Sequence, residues 1–520
     1  MRLLLTLLLI PLALAPAAEA QRDLGALEEA LRDQDAKTRR GAVGDLAELG
    51  TAEAWQVVLE RGLQDRSPRV ADEAQLRLGA ATITEEWLEL VDGKLALRSK
   101  DELVRRRVVE SLGRIEGAVP LRFFTRALKD KDAEVRASAA YAVGQRLRIG
   151  AGAVALEPLG GKRDRGLEQF GDALHRVATK DKDARARANA VANVLLAARV
   201  IGVRAAEAPE VVDRAGEVGP ELSRVASMAA EVRGEREAIG VLDLGRSLRH
   251  ELTMHSVTAA RLLEEIGTKE AMLELAKRLQ PSDDHPLRPA LQQRIVRTLR
   301  AASGLSHGAS AERWLRWAQG LDDDWSRSDG AAESDAAGAE EGGGSTTFFG
   351  LRIVSDRVAF LVDMSGSMWS ERDGRRRKDS VEVELETALR GLPETARFNV
   401  VPYASQPAPW KGELVPASKK NVERAIQAFR GSGLRGKGNL WDALVPVLRD
   451  PEIDTVVLLT DGAPTGGTRW NVDLMRTLLL DENRFRGVTI HVLLFDASKG
   501  LQKRWRRIAE DHDGALRAID

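Results

Sequence analysis

Between Gln21 and about Gly320, apolar residues recur three or four positions apart, and stretches of strict polar–apolar alternation are nearly absent. Val135, Ala139, Val143 and Leu147 fall on one side of a helix in this way and predict its buried face. After Phe348 the pattern changes. Strand-like, largely apolar runs at Val358–Val362, Phe398–Tyr403, Val456–Thr460, Thr489–Phe495 and Ala515–Ile519 alternate with helical segments. One such segment carries Val381, Leu385 and Leu389, another Val422, Ala425, Ile426 and Phe429. Short, largely apolar strands separated by helices predict a mostly parallel sheet covered on both faces. Residues 408–415 predict a short antiparallel edge strand. Asp379 with Glu382, and Asn439 with Asp442, predict helix caps with a polar partner three residues on. The expected fold class is an all-α solenoid followed by an α/β doubly wound domain.

One phrase recurs in the helical region, an Asp followed four residues later by an Arg. It occurs at Asp35–Arg39, Asp65–Arg69, Asp101–Arg105, Asp132–Arg136 and Asp183–Arg187, with arginine steps of 30, 36, 31 and 51 residues. A helical period of about 30–40 residues predicts a solenoid, and the long step predicts an insertion near Gly150–Asp164. Asp at a helix start meets the positive end of the helix dipole. The Arg one turn on is placed to pair with that Asp or with the neighbouring repeat. The stretch KDKDAEVRASAAYAVG at Lys129–Gly144 resembles HEAT-type repeats, a likeness that extends over residues 30–150 and again over 180–202. Ser303–Trp317 is similar to a Trp-rich closing element of some bacterial repeat proteins. Such a solenoid implies either a concave surface for a partner or a rigid spacer.

Residues 321–347 are acidic, rich in Ala, Gly and Ser, and without apolar periodicity. They predict a flexible tether between a helical region at 21–320 and a second domain at 348–520. At the other end, Arg2, the apolar run Leu3–Ala15 and the small residues Ala18-Glu19-Ala20 follow the order of a secretory signal peptide, residues 1–20, cleaved after Ala20. That run is shorter than the ~20 residues a membrane span needs, and no later run approaches it. The expectation is a bacterial protein, secreted or periplasmic, with no span in its mature form. Lys plus Arg is 78 and Asp plus Glu 79, so no overall field favours nucleic acid or anionic lipid. There is no cysteine, and packing has to supply the stability. The basic run Arg375–Lys378 reads as a solvated entry to the following helix.

The chemistry concentrates in DMSGSM, residues 363–368, directly after the strand Val358–Val362. Asp363, Ser365 and Ser367 alternate, so in an extended turn their oxygens face one point. Oxygen donors with little charge suit a hard cation such as Mg²⁺, Mn²⁺ or Ca²⁺. Asp461 closes the strand Val456–Thr460 and supplies a second carboxylate. In wound sheets the ligand crevice lies at such strand ends.

Together these residues resemble a von Willebrand factor A domain over Phe348–Asp520. DMSGSM stands for the family's DxSxS, TDG at 460–462 for its second aspartate loop, and GKGNLWDAL at 436–444 for its middle loop. The resemblance implies a metal-ion-dependent adhesion site formed by Asp363, Ser365, Ser367 and Asp461. There the ion keeps one position open for an acidic group of a protein partner, and no catalysis is implied. The middle loop departs from the family, with Gly438 where a coordinating Thr is usual. Water or Asn439 could replace the missing oxygen, or Lys437 could neutralise Asp461 without an ion. In either case Lys437, Gly438 and Asn439 flank the entrance. The other class of function is a metal-free scaffold whose solenoid does the binding.

Two further patterns fall short. GSGLRGKG at 431–438 approaches a nucleotide-binding P-loop, but Gly438 lacks the required hydroxyl and residues 419–430 before it have helical rather than strand periodicity. His250 and His255 stand five apart, about 140° around a helix, too far apart to share a face. They read as structural residues.

Overall fold

The computed structural model describes residues 23–155, 163–233, 240–327, 345–372 and 374–519. The expected signal peptide, the core of the insertion and most of the linker lie outside the described residues. The chain divides into two compact units, one ending at Ala173 and one running from Leu174 to Asp520. No helix among the described residues is long and apolar enough to cross a membrane.

In the first unit the helices Ala36–Leu49, Pro68–Leu78, Glu102–Leu112 and Ala133–Ile149 pack in sequence, each against the next. The Asp–Arg phrase explains how. Asp35, Asp101 and Asp132 are N-caps whose carboxylates accept N–H groups of the first turn. Arg39 and Arg105 do not pair with those caps. Each reaches a loop carboxylate further along the chain, Arg39 to Asp65 at 2.7 and 3.0 Å and Arg105 to Asp130 at 2.7 and 2.8 Å. The remaining guanidinium nitrogen donates to loop carbonyls of Asp33 and Gln34, or of Ser99 and Lys100. The second phrase is out of register, since Ser67 rather than Asp65 occupies the N-cap and Asp65 serves as the acceptor for Arg39.

The second unit holds more helices and the sheet. Near its middle, the rings of Trp314, Trp317 and Trp325 meet edge to face, and Trp314 is fully buried. The sheet contains β1 (Arg357–Asp363), β2 (Arg397–Tyr403), β3 (Val415–Pro416), β4 (Thr455–Thr460), β5 (Thr489–Phe495) and β6 (Leu516–Ile519). Its order is β6-β5-β4-β1-β2-β3, with β3 antiparallel to β2 and every other pair parallel. Helices α1 (Arg377–Arg390), α2 (Lys419–Arg430), α3 (Leu440–Arg449), α4 (Val472–Glu482) and α5 (Lys499–Asp511) cover it. The mixed six-stranded sheet is the wound fold the apolar runs predict. The antiparallel edge contracts to two residues, preceded by a segment whose Ala408 and Trp410 N–H groups donate to Pro402 and Val400. Asn439 caps α3 as expected. Asp379 does not cap α1. It lies inside the first turn, paired with Arg376, which holds the cap position.

The sheet does not hang free on the linker. Arg185, on the helix Ala184–Ile201, donates to Asp481 (2.9 Å) and Glu482 (2.8 Å) of α4, and Asn189 donates to Asp481 (2.7 Å). Arg261 and Arg297 likewise reach Asp513 behind α5. Polar groups buried in this way must find partners, and here each domain supplies the other's. The second compact unit accordingly takes in these helices from Leu174 onward.

His491 and His512 are buried near this contact. Nδ1 of His491 accepts the N–H of Ala515 at 3.1 Å, and Nδ1 of His512 accepts from Asn483 at 3.1 Å. Burial, aided by Arg297 and Arg261 respectively, pushes both down to about 4. The unfolded chain therefore takes protons that the fold refuses as pH falls through 6.5. Each histidine withdraws about 2 kcal/mol of stability between pH 7 and pH 5. Denaturant titrations at the two pH values should show His512→Asn losing about 2 kcal/mol less than the parent. An equal loss in both would contradict this account.

Candidate functional site

The site begins with a carboxylate in an unusual place. β1 lies between β4 and β2, and Asp363 is its last residue, opposite Tyr403 of β2. Asp363 is 3% exposed. Its Oδ1 accepts the N–H of Ser365 at 2.7 Å, and its Oδ2 accepts from Thr460 Oγ1 at 3.1 Å and Tyr403 Oη at 3.4 Å. Burial, with the Asp461 charge nearby, raises the Asp363 carboxyl to about 6 against the hydrogen bonds that favour its ionised form. The 3₁₀ turn Gly366–Trp369 follows, pinned from beneath by buried Met364 and Met368. It places Ser365 Oγ 3.1 Å from Ser367 Oγ. The alternation in DMSGSM thus brings Asp363 and both hydroxyls to one rim.

Asp461 follows β4 at the same rim. The cation that reaches it is Arg377, whose Nη1 lies 3.3 Å from Asp461 Oδ2 and 3.4 Å from the Ser367 carbonyl. The other arm of Arg377 donates to Asp496 at 2.7 and 3.0 Å. The neutralising role considered for Lys437 therefore falls to Arg377, and the basic run is not merely a solvated helix entry. Lys378 beside it is buried, paired with Glu382 and set over the rings of Trp369 and Phe429.

The middle loop closes the rim. Gly436 O accepts the N–H of Gly366 at 3.0 Å, and Asn439 N donates to Ala404 O at 2.9 Å. Asn439 Nδ2 is spent on Ser405 O and Asp442, which keeps its side chain in the cap. Lys437 donates its backbone N–H to Ser405 Oγ. Gly438 lies against the carboxylate: a methyl group there would sit 3.4 Å from Asp363 Oδ2 and 3.6 Å from Thr465 Oγ1. Thr465, in the Asp461 loop, accepts the N–H of Gly438 at 2.8 Å. A hydroxyl thus stands beside the position where Gly438 offers none. All the donors facing the rim are oxygens of low total charge, a set that fits a hard divalent cation. Sequence reading missed Tyr403, Thr460, Thr465 and Arg377. Thr460 and Thr465 lie within the Asp461 loop motif, whereas nothing local marks Arg377 or Tyr403. GSGLRGKG follows helix α2 rather than a strand, which is not the setting of a P-loop.

Residues 356–517 match the family model of the von Willebrand factor type A domain. The chain is 28% identical over 190 residues to inter-alpha-trypsin inhibitor heavy chain H4 of Bos taurus, covering 33% of this chain and 20% of that protein. With von Willebrand factor A domain-containing protein 3B of Homo sapiens it shares 26% identity over 162 residues, 31% of this chain and 12% of that one. The chain thus spans a fifth or less of the length of these curated relatives. Among solved structures, a von Willebrand factor type A protein from Catenulispora acidiphila is similar at 22% identity, over 33% of this chain and 40% of that one, with a TM-score of 0.28.

Two loop glycines should respond differently to substitution. Gly436 has φ 144°, and a methyl group there would collide with Ser405. Gly436→Ala should therefore cost about 2 kcal/mol or more, whereas Gly438→Ala meets only ordinary contacts and should stay within about 1 kcal/mol. Thermal melts of both variants decide it. Equal losses would mean the loop is not packed in this way.

Proposed function

We propose, for a chain whose residues 356–517 are a von Willebrand factor type A domain, that the sheet rim binds a partner protein through a divalent cation. Asp363, Ser365, Ser367 and Asp461 would hold Mg²⁺ or Mn²⁺, directly or through water, with Ca²⁺ as a weaker fit. Thr465 would replace the hydroxyl absent at Gly438, a role supported by its hydroxyl accepting the Gly438 N–H. Such an ion would supply one open coordination position, suited to a carboxylate of the partner. Lys437 and Asn439 would border the entrance. The reading is one of binding rather than catalysis, in a protein acting outside the cytoplasm, with the helical region as a second interaction surface. The observation that carries it is the buried Asp363 carboxylate, held at the end of a central strand with two hydroxyls and a second carboxylate on the same rim.

Arg377 favours a second reading. Its guanidinium already offsets the Asp461 charge, so the rim could serve as a metal-free scaffold. Calorimetry on the full chain separates the two. Under the metal reading, Mg²⁺ or Mn²⁺ gives heat with the parent and none with Asp363→Ala. Arg377→Ala then binds up to about tenfold more tightly, because a competing cation is gone. Absence of heat from parent and Arg377→Ala alike, with both folded, would leave the scaffold reading standing.

A further inference from the structure

A five-residue spacing keeps His250 and His255 off one face only if both lie on one helix. They do not. The helix carrying His255 begins at Thr253, and His250 sits in the turn before it, Nδ1 accepting the N–H of Leu252 at 3.1 Å. Freed from helical spacing, the two rings stack with centroids 3.8 Å apart and planes 15° from parallel. A third group joins them. Glu221, the first residue of the helix Glu221–Arg233, brings Oε2 to 2.7 Å from His255 Nε2. One ligand atom from each of the three residues lies within 4.8 Å of the others.

We propose that Glu221, His250 and His255 form a binding site for a zinc-class divalent ion, distinct from the oxygen-lined rim. Two imidazoles and one carboxylate suit borderline ions such as Zn²⁺ or Co²⁺ and suit Mg²⁺ poorly. With bonds of about 2.0–2.2 Å, tetrahedral ligand atoms stand roughly 3.4 Å apart. The His255–Glu221 pair, at 2.7 Å, must therefore open by well under an ångström, and the wider separations, up to 4.8 Å, must close by about an ångström or slightly more, which the exposed ring of His250 can supply by turning. His255 is buried, and burial first, then the neighbouring His250, holds it below its ordinary pKa, in the neutral form a metal requires. The ion would take the place of the proton shared between His255 and Glu221. Arg224 reaches the other oxygen of Glu221, Oε1, at 3.5 Å, and its own Nε is tied to the Gly219 carbonyl. Its charge weakens the site, but it leaves Oε2 on the histidine side. Three protein ligands leave a fourth position for water or an outside ligand.

The test uses the full chain without a polyhistidine tag, in excess Mg²⁺ so that the oxygen-lined rim is already supplied with its own class of ion. Zn²⁺ should bind at one equivalent by calorimetry, and excess Mg²⁺ should not compete. Co²⁺ should show the intense visible absorption of a four-coordinate ion, lost on adding Zn²⁺. His250→Ala and Glu221→Gln should each weaken Zn²⁺ by about tenfold or more. His250 is exposed, so its variant should keep the parent's circular dichroism even if a buried His255 variant does not fold. Undiminished Zn²⁺ affinity in His250→Ala, or a Co²⁺ spectrum of the six-coordinate aqua ion alone, overturns the proposal.

Discussion

A carboxylate buried at the end of a central strand is expensive, and much of the sheet domain is arranged around meeting that cost. Asp363 is only 3% exposed where β1 leaves the sheet, and it is met by a backbone N–H from its own turn and by hydroxyls from both neighbouring strands. Those bonds need Thr460 and Tyr403 to end level with it, which ties the register of three strands to one side chain. The second carboxylate, Asp461, adds like charge and calls for a cation. Arg377, the first residue of α1, supplies one.

Elsewhere the chain uses the same device. Nearly a third of its residues are charged, yet the formal net charge is −1, and many of those charges are buried opposite one another. Arg39 with Asp65 and Arg105 with Asp130 join successive loops of the helical region. Arg185 with Asp481 and Glu482 joins a helix of that region to the sheet domain. Such pairs contribute little net stability over well-packed apolar groups, but leaving one partner alone is strongly unfavourable. Their effect is to select one arrangement among several that apolar packing alone would permit. In a chain without cysteine, that selection has no covalent substitute.

The two regions that bear chemistry differ in how openly the sequence displays them. The rim is local: strand, carboxylate and alternating hydroxyls lie within a few residues, and the loops beyond β1 and β4 have to share one edge once the strands are parallel neighbours. The histidine cluster is not local. It depends on His250 standing in the turn before the helix that begins at Thr253, and its third member lies 34 positions away on another helix.

By itself, then, the sequence determined the alternation of strands and helices, the wound sheet and the placing of Asp363, Ser365, Ser367 and Asp461 at its edge. Apolar periodicity and short motifs act through neighbours along the chain, and those can be read directly. Only the tertiary structure decided that Arg377 rather than Lys437 faces Asp461. Only it showed Thr465 beside Gly438, and the sheet domain held against the helices by Arg185. These depend on which side chains meet after distant segments pack, where burial sets the worth of each charge and no spacing along the chain records the outcome.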